Sequence, residues 1–267
     1  MDDLQPNQET KEHMNSKILP IIALSSTLLF ACKKDEDVAP TPPAPVPTTS
    51  TVKLSYDFVN GSAAFNGTVP IIDDQNRSIR LTKLKFYTHD FHIVDDDGVT
   101  VAEFQDAVRL VDAFGASNLF ELGQMPAGQA HELELSLGLD SASSYGFPDQ
   151  ATAPFPLDDA DMTWPWSAVT TFGRMFIKLE GYVDANNNTT MDSGEGFAYH
   201  AIGSGMQALP ASYEVHTDVA GGTTFTIDLQ VNVVTLVNGL ALTGDFHNDG
   251  PQNQLLMQNL RAATSHM

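Results

Sequence analysis

From residue 52 onward, apolar and polar residues alternate in short runs broken by glycine and proline. A period of two puts the apolar side chains on one face of an extended strand. VKLSYDFV (52–59) alternates in this way. IRLTKLKFYTHDFHIV (79–94) is β-branched and aromatic, and Asp95, Asp96, Asp97 and Gly98 close it as a turn. Further strand-like runs occupy 107–114, 131–139, 174–183, 196–203, 212–217 and 223–237. Pro126-Ala127-Gly128 and Gly221-Gly222 separate some of them as turns. Residues 251–264 alone carry helical spacing, with Pro251 near the start and Leu255, Leu256, Asn259 and Leu260 recurring on one face. The pattern predicts an all-β fold: a β-sandwich or Greek-key variant, one domain over 52–267 with a short C-terminal helix.

The N-terminal part departs from this pattern. Residues 1–13 are polar and acidic, and Met14 is the better start. Lys17, an apolar run from Ile18 to Ala31, and then Cys32 follow. This is the layout of a secretory signal. The run is shorter than the roughly 20 residues a membrane-spanning helix needs. Its end, Leu29-Phe30-Ala31-Cys32, resembles the lipobox of bacterial lipoproteins, which implies cleavage before Cys32 and lipidation of its sulfur. Residues 1–32 are therefore expected to be extension and signal, and 33–51 a charged, Pro/Thr-rich tether. The charged run Lys33 to Asp37 is similar to surface-export signals of Bacteroidota lipoproteins. The expected location is the outer membrane, on its periplasmic or outer face.

Composition narrows the partners. Thirteen Lys+Arg against 34 Asp+Glu give a formal net charge of -21, which repels nucleic acid and suits cations. The single cysteine excludes an internal disulfide and, once lipidated, leaves no thiol nucleophile. No G-x-S-x-G elbow occurs either, so a binding role is expected rather than an enzyme.

Residues 184–195, DANNNTTMDSGE, read as a calcium loop. Asp184, Asn186, Asn188, Thr190, Asp192 and Glu195 fall at the ligand positions of a twelve-residue EF-hand loop. Thr189 replaces the glycine expected at the sixth position. The flanks are strands, so the loop would brace a hairpin. A polar Asn-rich hairpin without metal is the other reading.

Several motifs taken in order resemble the copper-binding MbnP-like family. They are LTKLKFYTHDFHIVDDDG (81–98), LGLDSASS (137–144), MTWPW (162–166), FIKLEG (176–181) and FAYHAIG (197–203). In place of the family's Gly-aromatic pair soon after the second tryptophan, SAVTTFGRMF intervenes. The resemblance implies an exported copper-binding protein for storage, acquisition or transfer, with a di-haem cytochrome c peroxidase-like partner. It points to copper held by His89 and His200, with His92 and the thioether of Met162 as further ligands. His89 and His92 alternate to opposite faces unless the strand bulges between them. Trp164 and Trp166 would wall the site, and one of them is a candidate for oxidation, as in some relatives. The rival reading is a calcium-stabilised adhesion or glycan-binding sandwich in which the two tryptophans stack on sugar.

Overall fold

The computed structural model describes residues 46, 48–146, 153–164 and 173–267. In chain order its strands are β1 (Thr49–Asn60), β2 (Ala63–Ala64), β3 (Ile71–Ile72), β4 (Ser78–Val94), β5 (Thr100–Phe104), β6 (Arg109–Asp112), β7 (Leu119–Pro126) and β8 (Gly128–Leu137). They continue with β9 (Thr163–Trp164), β10 (Gly173–Arg174), β11 (Ile177–Val183), β12 (Gly196–Ala201), β13 (Leu209–Val219), β14 (Thr224–Asn232), β15 (Gly244–Asn248) and β16 (Thr264–His266). The α-helices are α1 (Ser141–Tyr145), α2 (Val233–Leu236) and α3 (Pro251–Ala263).

The expected all-β sandwich is what forms. One sheet runs β16-β14-β1-β2, with β7 also on β1; the other runs β13-β8-β4-β11-β12-β15, with β3, β5 and β6 along β4. Alternate residues of β1, Val52, Leu54 and Tyr56, are buried, as are Ile227, Leu229 and Val231 of β14. They pack on Leu84, Phe86, Phe91 and Ile93 of β4 within one hydrophobic cluster. Tyr56 and Phe86 meet edge to face with centroids 5.6 Å apart, a contact between the two sheets. Each such side chain contributes about 1.5–3 kcal/mol through burial.

The central strand β4 does not keep one alternation. Its pairing with β11 skips Thr82, and its pairing with β8 shifts between His89 and His92. Asp90 at the second irregularity has φ 60 and is exposed. Each bulge inserts a residue and resets the phase. The buried apolar positions therefore run Ile79, Leu81, then Leu84, Phe86, then Phe91, Ile93. The simple alternation expected for 84–94, with His89 on the face of Phe91 and Ile93, is corrected by the second bulge.

Other boundaries also differ. β1 begins at Thr49, inside the stretch read as tether. The end of the 223–237 run is helical, because the Asn232 side chain caps Val234 N–H and the turn buries Val233 and Leu236. His266, one residue from the last, pairs with Leu229 as part of β16.

Residues 153–164 contact the outer face of the second sheet. Tyr87 Oη donates to Pro156 O at 3.1 Å, and Lys83 and Lys85 bond Asp161 and Asp159 at 2.7 and 3.1 Å. Asp159 caps the 3-10 turn at Ala160–Met162 by accepting from Asp161 N and Met162 N. Trp164 follows at once on β9.

Candidate metal centre

A row of polar side chains crosses the second sheet. Lys85 of β4 pairs with Lys178 of β11, Lys178 with His200 of β12, and His200 with His247 of β15. β12 and β15 are parallel, so Tyr199-His200 lies beside Phe246-His247. Successive side chains leave opposite faces. Tyr199 stacks on Phe246 with centroids 4.6 Å apart, and on the other face His200 stacks on His247 at 4.3 Å and 8°. Trp164 meets both imidazoles edge-on, at 5.2 Å from His200 and 4.8 Å from His247.

Hydrogen bonding fixes which ring nitrogens are free. Glu180 Oε1 lies 2.7 Å from His200 Nε2. The His200 bond holds the Glu180 carboxyl below its ordinary pKa against the effect of burial, and Lys178 lowers it further. An ionised carboxylate only accepts, so His200 carries its proton on Nε2 and its lone pair on Nδ1. Among the described residues, His200 Nδ1 and His247 Nε2 are buried and have no hydrogen-bond partner. A buried polar atom left unpaired costs about 1–3 kcal/mol. Burial lowers the His247 pKa and neighbouring His200 lowers it further, which favours the neutral, ligating imidazole.

A charged network supports the pair. Lys178 Nζ bonds Asp161 Oδ1 at 2.6 Å and lies 3.2 Å from Glu180 Oε1. Asp161 also pairs with Lys83 at 2.7 Å and Lys85 at 3.4 Å. Burial alone would raise the Asp161 carboxyl, but bonds from Lys178 and Lys83 hold it well below the usual carboxylate range. The network ties residues 159–164, and so Trp164, to the strands that carry the imidazoles. Two unpartnered nitrogens on adjacent rigid strands are a donor set for a late transition metal.

His200 and Trp164 were legible from sequence, and the structure brings them together. His89, expected beside His200, lies elsewhere, which corrects the predicted pair. It sits four residues along β4 from Lys85, roughly 13 Å at strand rise, and two strands, about 10 Å, to the side. Its Nδ1–H donates to Gly138 O at 3.1 Å, and Nε2 faces Asp140 at 3.8 Å. His92 bonds Asp90 at 3.0 Å and lies 3.9 Å from Glu103. Met162 is fully buried in the hydrophobic cluster. Trp166 and Cys32 lie outside the described residues. His247 was not anticipated. The signal that could have found it is the repeat of an aromatic-His dipeptide at 91–92, 199–200 and 246–247.

The loop 184–195 joins β11 to β12, the strands that carry Glu180 and His200. Asp184 accepts from Asn188 N and Thr189 N at 2.9 and 2.8 Å, and Glu195 accepts from Ala185 N and Asp192 N at 3.0 and 2.7 Å. Asp192 accepts from Asn188 Nδ2 at 2.8 Å and from Thr190 Oγ1 at 3.1 Å, and Asn186 Nδ2 lies 3.4 Å away. Thr189, where an EF-hand has glycine, takes φ 70, so threonine itself adopts the left-handed turn.

Comparison with known proteins places the chain in a family. A family model described as MbnP matches residues 49–257. Among solved structures, MbnP from Methylosinus trichosporium is similar at 19% identity and TM-score 0.49, covering 76% of this chain and 82% of that one. No curated protein matches. With the family model spanning nearly all of the sandwich, the chain belongs to the MbnP family.

Proposed function

We propose that this protein binds copper through His200 Nδ1 and His247 Nε2, the stacked rings turning so that both in-plane lone pairs reach one ion, and that it is an exported lipoprotein anchored through Cys32 which stores, acquires or transfers the metal. The observation that carries the reading is the stacked imidazole pair with His200 Nδ1 and His247 Nε2 buried and unpartnered. Two imidazole nitrogens in a shell of low coordination number, with the Trp164 indole packed against both rings, suit Cu(I). Glu180 orients His200 and fixes its tautomer, as a carboxylate behind a metal-bound histidine does. Trp164 shields the pair from water.

The role is binding, not catalysis. Trp164 is half-buried and already packed against both rings, which argues against a sugar-stacking platform. Its contact with both imidazoles makes it the residue on which a di-haem cytochrome c peroxidase-like partner would act if a tryptophan is oxidised. Calcium in the 184–195 loop would brace the β11–β12 hairpin.

Cu(I) competition titration tests the reading. The wild-type chain should bind one equivalent tightly; His200→Ala and His247→Ala should each lose it, and His89→Gln should keep it. Tight binding retained in both alanine variants would overturn the assignment.

A further inference from the structure

A second group of donors lies toward the other edge of the same sheet. Asp96 sits in the turn between β4 and β5, which Asp95 fastens by accepting from Asp97 N and Val99 N at 3.0 and 2.9 Å. His131 is on β8 and His216 on β13, strands that pair with each other. Because β8 also pairs with β4 up to Val94, the turn falls beside His131. Asp96 Oδ1 lies 2.8 Å from His131 Nδ1. The His131 and His216 rings meet edge-on with centroids 4.3 Å apart. One ligand atom from each of the three residues lies within 4.8 Å of the others.

Local backbone geometry turns His216 toward this group. β13 bulges between Glu214 and Thr217, and His216 adopts φ 43. A residue other than glycine held there costs about 1–2 kcal/mol. The bulge directs the His216 ring to His131. Asp218 lines the same shallow hollow, and Glu214 Oε2 lies 3.2 Å from His216 Nε2.

We propose that Asp96, His131 and His216 form a surface site for a divalent transition metal of the zinc type. Two imidazole nitrogens and one carboxylate oxygen, with water in the remaining position, match the preference of Zn2+ for mixed N/O tetrahedral ligation. Ca2+ and Mg2+ need more oxygen donors than the three residues supply. The site shares no residue with the His200–His247 pair, so it stands independently of the copper reading.

The test is a Zn2+ titration of the full chain against a chromophoric chelator, in a His200→Ala/His247→Ala background so that the buried pair does not contribute. One equivalent should bind with micromolar affinity, unaffected by equal Ca2+. The substitutions H131Q and H216N together should weaken it at least tenfold; asparagine tolerates the left-handed backbone at 216. Binding unchanged by these substitutions would overturn the site. A second measurement needs no variant: Zn2+ should protect His131 and His216 of the wild-type chain from acylation by diethylpyrocarbonate. Equal acylation with and without Zn2+ would also overturn it.

Discussion

Substituting Glu180 separates the role of a carboxylate behind the metal from simple packing. Its Oε1 accepts from His200 Nε2 at 2.7 Å and also lies 3.2 Å from Lys178 Nζ. A hydrogen bond to a charged group contributes about 1.5–3 kcal/mol, a factor of roughly 10–150 in an equilibrium constant. Loss of such an outer partner typically weakens metal binding about 10–100-fold, so the two estimates agree. Glu180→Ala removes both the acceptor and the charge and should lie near the upper end. Glu180→Gln keeps an acceptor oxygen but loses the charge, so a loss of about tenfold is expected. The glutamine amide can also rotate to donate, which would move the His200 proton to Nδ1 and block the ligating atom. The assay is Cu(I) affinity by competition with a chromophoric ligand at fixed pH, with folding checked by circular dichroism. Glu180→Ala binding copper as tightly as wild type would refute the reasoning, because His200 would then need no partner to present Nδ1.

Three further outcomes follow from the same geometry. Gly181→Ala drives a Cβ into the backbone carbonyl oxygen of Arg80 at the β4–β11 bulge, so overpacking should cost about 1–3 kcal/mol and lower Tm by several degrees; an unchanged melting curve would contradict it. Asp161→Asn should destabilise the domain at pH 7. The depressed Asp161 carboxyl means the unfolded chain binds more protons, so its stabilisation is present above about pH 4 and is lost as pH falls below the ordinary value of 3.8. Wild-type and variant melting temperatures should therefore converge in acid, and a constant gap from pH 7 to pH 2 would count against the network. With calcium in the 184–195 loop, as proposed, its removal by EDTA before copper titration should loosen the hairpin carrying Glu180 and His200 and weaken copper binding; identical copper affinity with and without calcium would remove the coupling.

The sandwich was readable because period-two alternation is a local signal, and β1 and β14 each carry it. The bulges of β4 were not readable, since nothing near Thr82 or Asp90 marks an extra residue until pairing with β11 and β8 is known. That one feature undid the expected facing of His89. The site was half legible for the same reason. Tyr199-His200 stood out within a recognisable strand, whereas Gly244–Asn248 is a short run without β-branched residues. His247 reaches His200 only through a parallel pairing of strands distant in sequence. Conversely, Thr189 at the glycine position of the 184–195 loop looked like an obstacle, and the structure gives it φ 70.

X-ray absorption of the Cu(I)-loaded protein tests the central claim most directly. Wild type should show a nitrogen-dominated shell with the multiple-scattering signature of two imidazoles, and His247→Ala, which no longer binds tightly and is loaded in excess Cu(I), should show one fewer. A sulfur-dominated shell, or a spectrum identical in wild type and His247→Ala, would contradict the account.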